Sequence, residues 1–92
     1  MFYNASNNAW SRLSSAISAS ATSLTVQGGN WPEPPFLISI EDEIIEVNNK
    51  SGNTFSNLVR GMEGTTPAPH PANARVENRF TAGTYSLLKN VL

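Results

Sequence analysis

The chain has 92 residues, with six lysines and arginines against seven aspartates and glutamates, a formal net charge of −1 and no cysteine. These values exclude a disulfide framework and a thiolate metal site, and they do not fit the basic surface of a nucleic-acid-binding protein. A chain of this length forms at most one domain with a small core, so oligomerisation is an expected source of further stability.

The N-terminal segment is polar and has neither the basic nor the apolar region of a secretory signal peptide. No stretch of the chain is apolar enough to span a membrane. We expect residues 1–9 to be an N-terminal arm, either disordered or ordered by adding a strand to the sheet of a neighbouring subunit. Residues 10–92 are predicted to form a single β-rich domain.

The first predicted elements are two short strands. Residues 11–18 can be read as a helix, because Trp10, Leu13 and Ile17 lie at helical spacing, or as a loosely alternating strand. Residues 22–27 alternate more clearly and favour a strand. We therefore predict a hairpin of these two segments.

An irregular segment follows, because the glycines and prolines of "GGNWPEPP" prevent regular structure. We expect its Trp31 to cover one end of the core. Alternating apolar residues then predict a three-stranded meander with turns at 41–43 and 50–53, and a bulge near Asn57. Its strands are residues 36–40, 44–49 and 54–60. A further strand is predicted at 74–80. A short amphipathic C-terminal helix is predicted from Tyr85, Leu88 and Leu92.

The segment between the last two strands, "RGMEGTTPAPHPANARV" at 60–76, is the least ordinary part of the sequence. Gly61 and Gly64 allow a sharp departure from the preceding strand. Thr65 is a turn former, and three alternating prolines stiffen the segment that follows it. Asn73 is suited to a left-handed conformation where the chain re-enters the sheet. We predict an ordered loop that is pinned at both ends.

Three polar side chains are predicted to fasten this loop internally. Glu63 is expected to bind backbone amides or to pair with Arg60 or Arg75, and His70 is expected to bind backbone carbonyls. Metal ligation by His70 is the weaker alternative, because one histidine with scattered glutamates does not make a site. A single histidine without a partnered nucleophile does not indicate catalysis either. The sequence therefore predicts no enzyme, no metal and no cofactor.

Other candidate residues have both a structural and a functional interpretation. The acidic cluster Glu41, Asp42, Glu43 and Glu46 is predicted to be a solvated hairpin tip and strand face rather than a cation site. Aromatic residues are candidates for contact with a partner protein, since tryptophan is enriched at the centres of interfaces. The two tryptophans could instead stack on sugars. These partner-contact candidates are Phe2, Tyr3, Trp10 and Trp31.

The spacing R-G-x-E-G-T-T-x-x-x-H resembles a loop of a small β-rich module of bacteriophage virion proteins, found in tail-fibre and baseplate-associated chains. "SRLSSAISASATSLTV", "WPEPPFLISIEDEIIEV", "SGNTFSNLVRG" and "FTAGTYSLL" follow in the order of that module, so the resemblance covers roughly residues 7–90. Asn73 stands where the module commonly has glycine. The fibre proteins also continue beyond the point where this chain ends, which suggests a free-standing adaptor without a receptor-binding tip.

These features together predict an all-β fold, a small barrel or sandwich of about six short antiparallel strands with a short C-terminal helix. The resemblance implies a non-enzymatic virion protein, assembled in the bacterial host cytoplasm, that attaches components at the tail, baseplate or fibre junction. Its implied partners are other virion proteins and copies of itself, with a trimer favoured, and neither nucleic acid nor membrane. A capsid decoration protein and a carbohydrate-binding module are the alternatives.

Overall fold

Two antiparallel sheets form the fold of residues 3–6 and 9–79, the part of the chain that this computed structural model describes. The four-stranded sheet has the order β1-β7-β3-β4 and the three-stranded sheet the order β2-β6-β5. The elements are β1 (Trp10–Arg12), β2 (Ser23–Thr25), β3 (Phe36–Ile40), β4 (Glu43–Val47), β5 (Asn49–Ser51), β6 (Thr54–Ser56), a 3-10 helix (Met62–Gly64) and β7 (Arg75–Arg79).

The predicted all-β class is confirmed. Over the described residues the two sheets stay open and do not close into a barrel, so the arrangement is that of two separate sheets. The predicted C-terminal helix lies outside the described residues.

The predicted meander is divided between the two sheets. β3 and β4 form the expected hairpin, with Ile38 opposite Ile45. The chain then leaves this sheet at Asn48, and β5 pairs with β6 in the other sheet. The reason is the spacing of the residues that share one face. Val47 is the last buried residue of β4, and the residue of β5 that pairs with buried Phe55 is Lys50, three positions later. A step of three breaks the two-residue alternation of a continuous strand, so the prediction of one strand over 44–49 was wrong.

The predicted hairpin of residues 11–18 and 22–27 is also corrected. β1 pairs with β7, with Ser11 opposite Val76, and β2 pairs with β6. The two segments meet at one bridge between Leu13 and Val26, flanked by bonds from the Ser14 amide to the Thr25 carbonyl and from the Gln27 amide to the Arg12 carbonyl, each 2.9 Å. Strand partners that are distant in sequence outcompeted the local pairing.

The core contains three aromatic rings in mutual contact. Trp31 is stacked on Phe36 at a centroid distance of 6.0 Å, and both meet Phe55 edge to face, at 5.1 and 5.3 Å. The Trp31 indole Nε1 donates to the Gly28 carbonyl at 2.8 Å, which satisfies its polar atom inside the core. The predicted burial of Trp31 is confirmed, with 8% of the residue exposed.

The N-terminal segment contacts the body of its own chain. Asn4 forms a parallel bridge with Phe36, and its amide donates to the Pro35 carbonyl at 2.9 Å. The Tyr3 hydroxyl donates to Oε1 of Glu46. This hydrogen bond, burial, and the negative charges of Glu46 and Glu63 raise the pKa of Tyr3 to about 12.

Candidate functional site

A buried carboxylate lies at the start of β4, beneath the loop of residues 60–76. Only 1% of the Glu43 side chain is exposed, and Arg60 binds it with two parallel hydrogen bonds. The Arg60 Nε donates to Oε2 at 2.7 Å and Nη2 donates to Oε1 at 2.8 Å. This two-point geometry is the strongest form of an arginine–carboxylate pair.

Three further groups form hydrogen bonds with the Glu43 carboxylate. The amide of Gly61 donates to Oε2 at 3.0 Å and the amide of Ala68 donates to Oε1 at 3.1 Å. The His70 Nε2 lies 2.7 Å from Oε1. Burial by itself would raise the pKa of Glu43, but the hydrogen bonds from Arg60, His70 and the two amides outweigh it and lower the pKa to about 2. Glu43 is therefore a carboxylate over the physiological range.

Arg60 joins two separate parts of the chain around this carboxylate. Its Nη1 donates to the carbonyls of Ser18 and Ala21, at 2.7 and 3.1 Å. Its Nη2 also donates to the Ala68 carbonyl at 2.6 Å. The guanidinium thus binds the connection between β1 and β2 to the far side of the 60–76 loop.

His70 lies between two carboxylates. Its Nδ1 is 2.6 Å from Glu41 Oε1 and its Nε2 is 2.7 Å from Glu43 Oε1. The His70 side chain is 1% exposed, whereas that of Glu41 is 53% exposed. The His70 backbone exchanges two hydrogen bonds with Ile17, at 2.9 and 3.0 Å. The ring was expected to bind loop carbonyls, and it contacts carboxylates instead.

Left-handed residues shape the loop at the positions that the sequence singled out. Gly61, Gly64 and Asn73 have φ values of 64°, 81° and 70°. The Thr65 hydroxyl donates to the Met62 carbonyl at 2.7 Å and accepts from the Ile44 amide at 3.0 Å. The loop is therefore ordered and held at both ends, as predicted.

The structure brings together four of the seven predicted loop residues. Arg60, Gly61 and His70 contact Glu43 directly, and Thr65 binds the adjoining residue of β4. Glu63 and Gly64 are exposed, and the carboxylate that pairs with Arg60 is Glu43. Asn73 lies at the other end of the loop, where its amide donates to the Leu13 carbonyl at 2.9 Å.

The sequence prediction missed Glu43, which it assigned to a solvated turn. A usable signal was present, because Ile45 and Val47 are buried core residues of the same strand. Residues two apart on a strand share a face, so Glu43 points into the protein. A buried glutamate needs a partner, and Arg60 was the available cation.

The predicted partner-contact residues lie in different environments. Tyr3 is hydrogen-bonded to Glu46 and Trp31 is buried in the core, and Phe2 lies outside the described residues. Trp10 is 44% exposed, and the guanidinium carbon of Arg75 lies 4.2 Å from its ring centroid. Arg75 also pairs with Glu77, at 3.3 Å. Trp10 is therefore the accessible tryptophan of the two.

Every buried polar side-chain atom in the network around Glu43 has a hydrogen-bond partner. Among the described residues, no buried side-chain nitrogen or oxygen lacks a partner, and no cluster of histidine and acidic side chains is arranged to hold a metal ion. Helices long and apolar enough to cross a membrane are likewise absent from residues 3–6 and 9–79. The arrangement is suited to holding backbone segments together.

Neither a scan against protein-family profiles nor a search of curated proteins finds a match.

Proposed function

We propose that this chain is a structural module of a bacteriophage virion that attaches one component to another at the tail, baseplate or fibre junction. The observation that carries the proposal is the use made of the "RGMEGTT" and "H" residues. Arg60, Gly61 and His70 direct their polar groups onto one buried carboxylate of the same domain. A motif with this role maintains a scaffold, which agrees with the structural role that the resemblance implies.

The state of His70 supports a non-enzymatic role. Both ring nitrogens face carboxylate oxygens within hydrogen-bonding distance, and the side chain is 1% exposed. A general base must reach a proton on a substrate, and this imidazole has neither a free nitrogen nor access to solvent. Glu43, the carboxyl group whose pKa is lowered, is equally inaccessible to a substrate, because its side chain is 1% exposed.

The exposed Trp10 is the best candidate for contact with a neighbouring virion protein. Aromatic and arginine side chains dominate the energy of protein interfaces, and here Trp10 and Arg75 lie together on β1 and β7. Contact with further copies of the chain, with a trimer favoured, belongs to the same proposal.

Localisation on particles tests the proposal. Particles would be purified from the phage that encodes the chain, and a cryo-microscopy map would be searched for this domain. Density in a ring or trimer at the tail, neck or baseplate is the expected result. Density over the capsid lattice would identify a decoration protein instead, and absence of the chain from particles would refute a virion role.

Substitution of Trp10 tests whether this residue forms the interface with a neighbouring virion protein. Trp10→Ala should lower the amount of chain that enters particles, whereas Val59→Ala, which truncates another side chain that is 44% exposed, should not. Both variants should melt like the native protein. Equal incorporation of the two would remove Trp10 from the interface.

The accessible Trp10 also keeps the carbohydrate-binding alternative open to a direct test. In a Trp31→Phe variant, all tryptophan fluorescence comes from Trp10. Glycans of the host surface should then change its emission if the ring stacks on sugars. An unchanged spectrum across neutral and acidic glycans would exclude this alternative.

A further inference from the structure

We propose that His70 forms a pH-sensitive contact between the β3–β4 turn and the 60–76 loop. A doubly protonated imidazole holds the turn against the loop, and loss of one ring proton releases the turn. The inference is independent of the virion proposal, because it concerns the three side chains of Glu41, His70 and Glu43 alone.

The hydrogen-bonding capacities of the imidazole and of the two carboxylates favour a doubly protonated ring. Nδ1 and Nε2 of His70 lie 2.6 and 2.7 Å from carboxylate oxygens of Glu41 and Glu43. An ionised carboxylate only accepts hydrogen bonds, and a neutral imidazole has one donor and one acceptor nitrogen. With both carboxyl groups ionised, both contacts can be hydrogen bonds together only when the ring carries both protons. A neutral ring would place a lone pair against a carboxylate oxygen.

Charge balance within the cluster also favours the doubly protonated ring. His70 faces Glu41 from the turn and Glu43 from β4, and Arg60 binds the other side of Glu43. Ile17, from the connection between β1 and β2, contacts His70 through the backbone. With an imidazolium, two anions and two cations cancel. With a neutral ring, Arg60 alone faces two carboxylates, so Glu41 loses its attraction to the cluster.

The contact to Glu41 is the one that breaks when the ring loses a proton. Four other hydrogen bonds, from Arg60 and two backbone amides, hold the Glu43 carboxylate in place, so it cannot move away from the ring. Glu41 is 53% exposed and lies in a two-residue turn with φ of 54°. Its carboxylate can therefore turn to water at little cost. The loop stays attached, because the backbone bonds between His70 and Ile17 do not depend on the ring.

The sign of the effect on stability follows from proton linkage. The contacts of the two ring nitrogens with Glu41 and Glu43 exist only in the folded state. If both contacts require ring protons, as proposed, the folded state binds more protons than the unfolded chain. The free energy of unfolding then falls as pH rises through the range in which the ring is neutralised. The turn containing Glu41 and Asp42 should loosen over the same range.

The chain has one histidine, so its ring can be followed without assignment ambiguity. In ¹⁵N-labelled native protein at neutral pH, both ring nitrogens should show the chemical shifts of an imidazolium. As pH rises, the amide signals of Glu41 and Asp42 should move together with the ring signals, while the Ile17 amide stays in place. A neutral ring in the folded protein at neutral pH, or turn amides that ignore the ring, would overturn the proposal.

A pair of variants separates the contact from general charge. In Glu41→Gln the side chain can serve as donor or acceptor, so the ring should be neutral at a pH where the native ring is charged, and the alkaline loss of stability should shrink. Asp42→Asn removes the same charge from the same turn and should behave like the native protein. Equal behaviour of the two variants would show that the Glu41 contact has no special role. If either variant does not fold, the titration of the native protein decides alone.

Discussion

Glu43 and Arg60 form a two-point ion pair whose side chains are 1% and 8% exposed. The two residues come from the start of β4 and the start of the 60–76 loop, so the pair fixes where that loop leaves the sheet. Removal of one partner from a buried pair leaves the other charge uncompensated, which costs more than the pair itself contributes.

Glu43→Gln should therefore lower the free energy of unfolding by about 3–5 kcal/mol. Urea denaturation of the native and variant proteins measures this difference. Glu77→Gln is the matched control, because it removes a carboxylate from the exposed pair with Arg75 and should cost less than about 1 kcal/mol. Equal losses in the two variants would contradict the structural role of Glu43.

Acid should destabilise the protein through the same carboxylate. The folded-state pKa of Glu43 is lowered from 4.5 to about 2. Its contribution is therefore fully present above pH 4.5 and is lost as pH falls towards about 2. The contribution amounts to about 3 kcal/mol. The difference in unfolding free energy between native protein and Glu43→Gln, measured from pH 6 down to pH 2, should shrink accordingly. A constant difference would show that Glu43 does not titrate in this way.

The local features of the site could be predicted from residue types. Gly61, Gly64 and Asn73 were recognised as residues that tolerate left-handed backbone, and all three adopt it. The β3–β4 hairpin followed from alternation. These features depend on a few neighbouring residues, which is the range over which a single sequence is informative.

The long-range features could not be predicted in this way. Arg60 finds its partner 17 residues away and His70 finds Glu41 29 residues away, each across a change of sheet. The nearer Glu63 was the obvious partner of Arg60, but it lies exposed in the 3-10 helix Met62–Gly64. Burial decides between such candidates, and the sheet assignment that sets burial arises from pairings such as Ser11 with Val76.

Gly61 and Gly64 offer a comparison of two left-handed glycines in different surroundings. A Cβ at Gly61 would lie 2.7 Å from Pro67 Cδ and 2.9 Å from the Thr65 carbonyl oxygen, whereas a Cβ at Gly64 would meet no atom within 4 Å. Gly64→Ala should cost about 1–2 kcal/mol from backbone strain alone. Gly61→Ala should cost clearly more, because the loop must also shift. Thermal melts that rank the variants in the opposite order would contradict the observed course of the loop.

Tyr3 tests whether the N-terminal segment packs on its own chain in solution. Tyr3→Phe removes the hydroxyl that donates to Glu46 and should lower the free energy of unfolding by about 1 kcal/mol. Because the native contact lies within one chain, this loss should not change with protein concentration. A loss that grows on dilution would show that the segment contacts a neighbouring subunit instead.

The pKa of Tyr3 is raised to about 12, so the contribution of this contact should persist below pH 10 and disappear as pH rises through about 12. The stability advantage of the native protein over Tyr3→Phe should therefore be lost by the alkaline end of that range, and an advantage that persists there would refute the assigned role of the phenol proton.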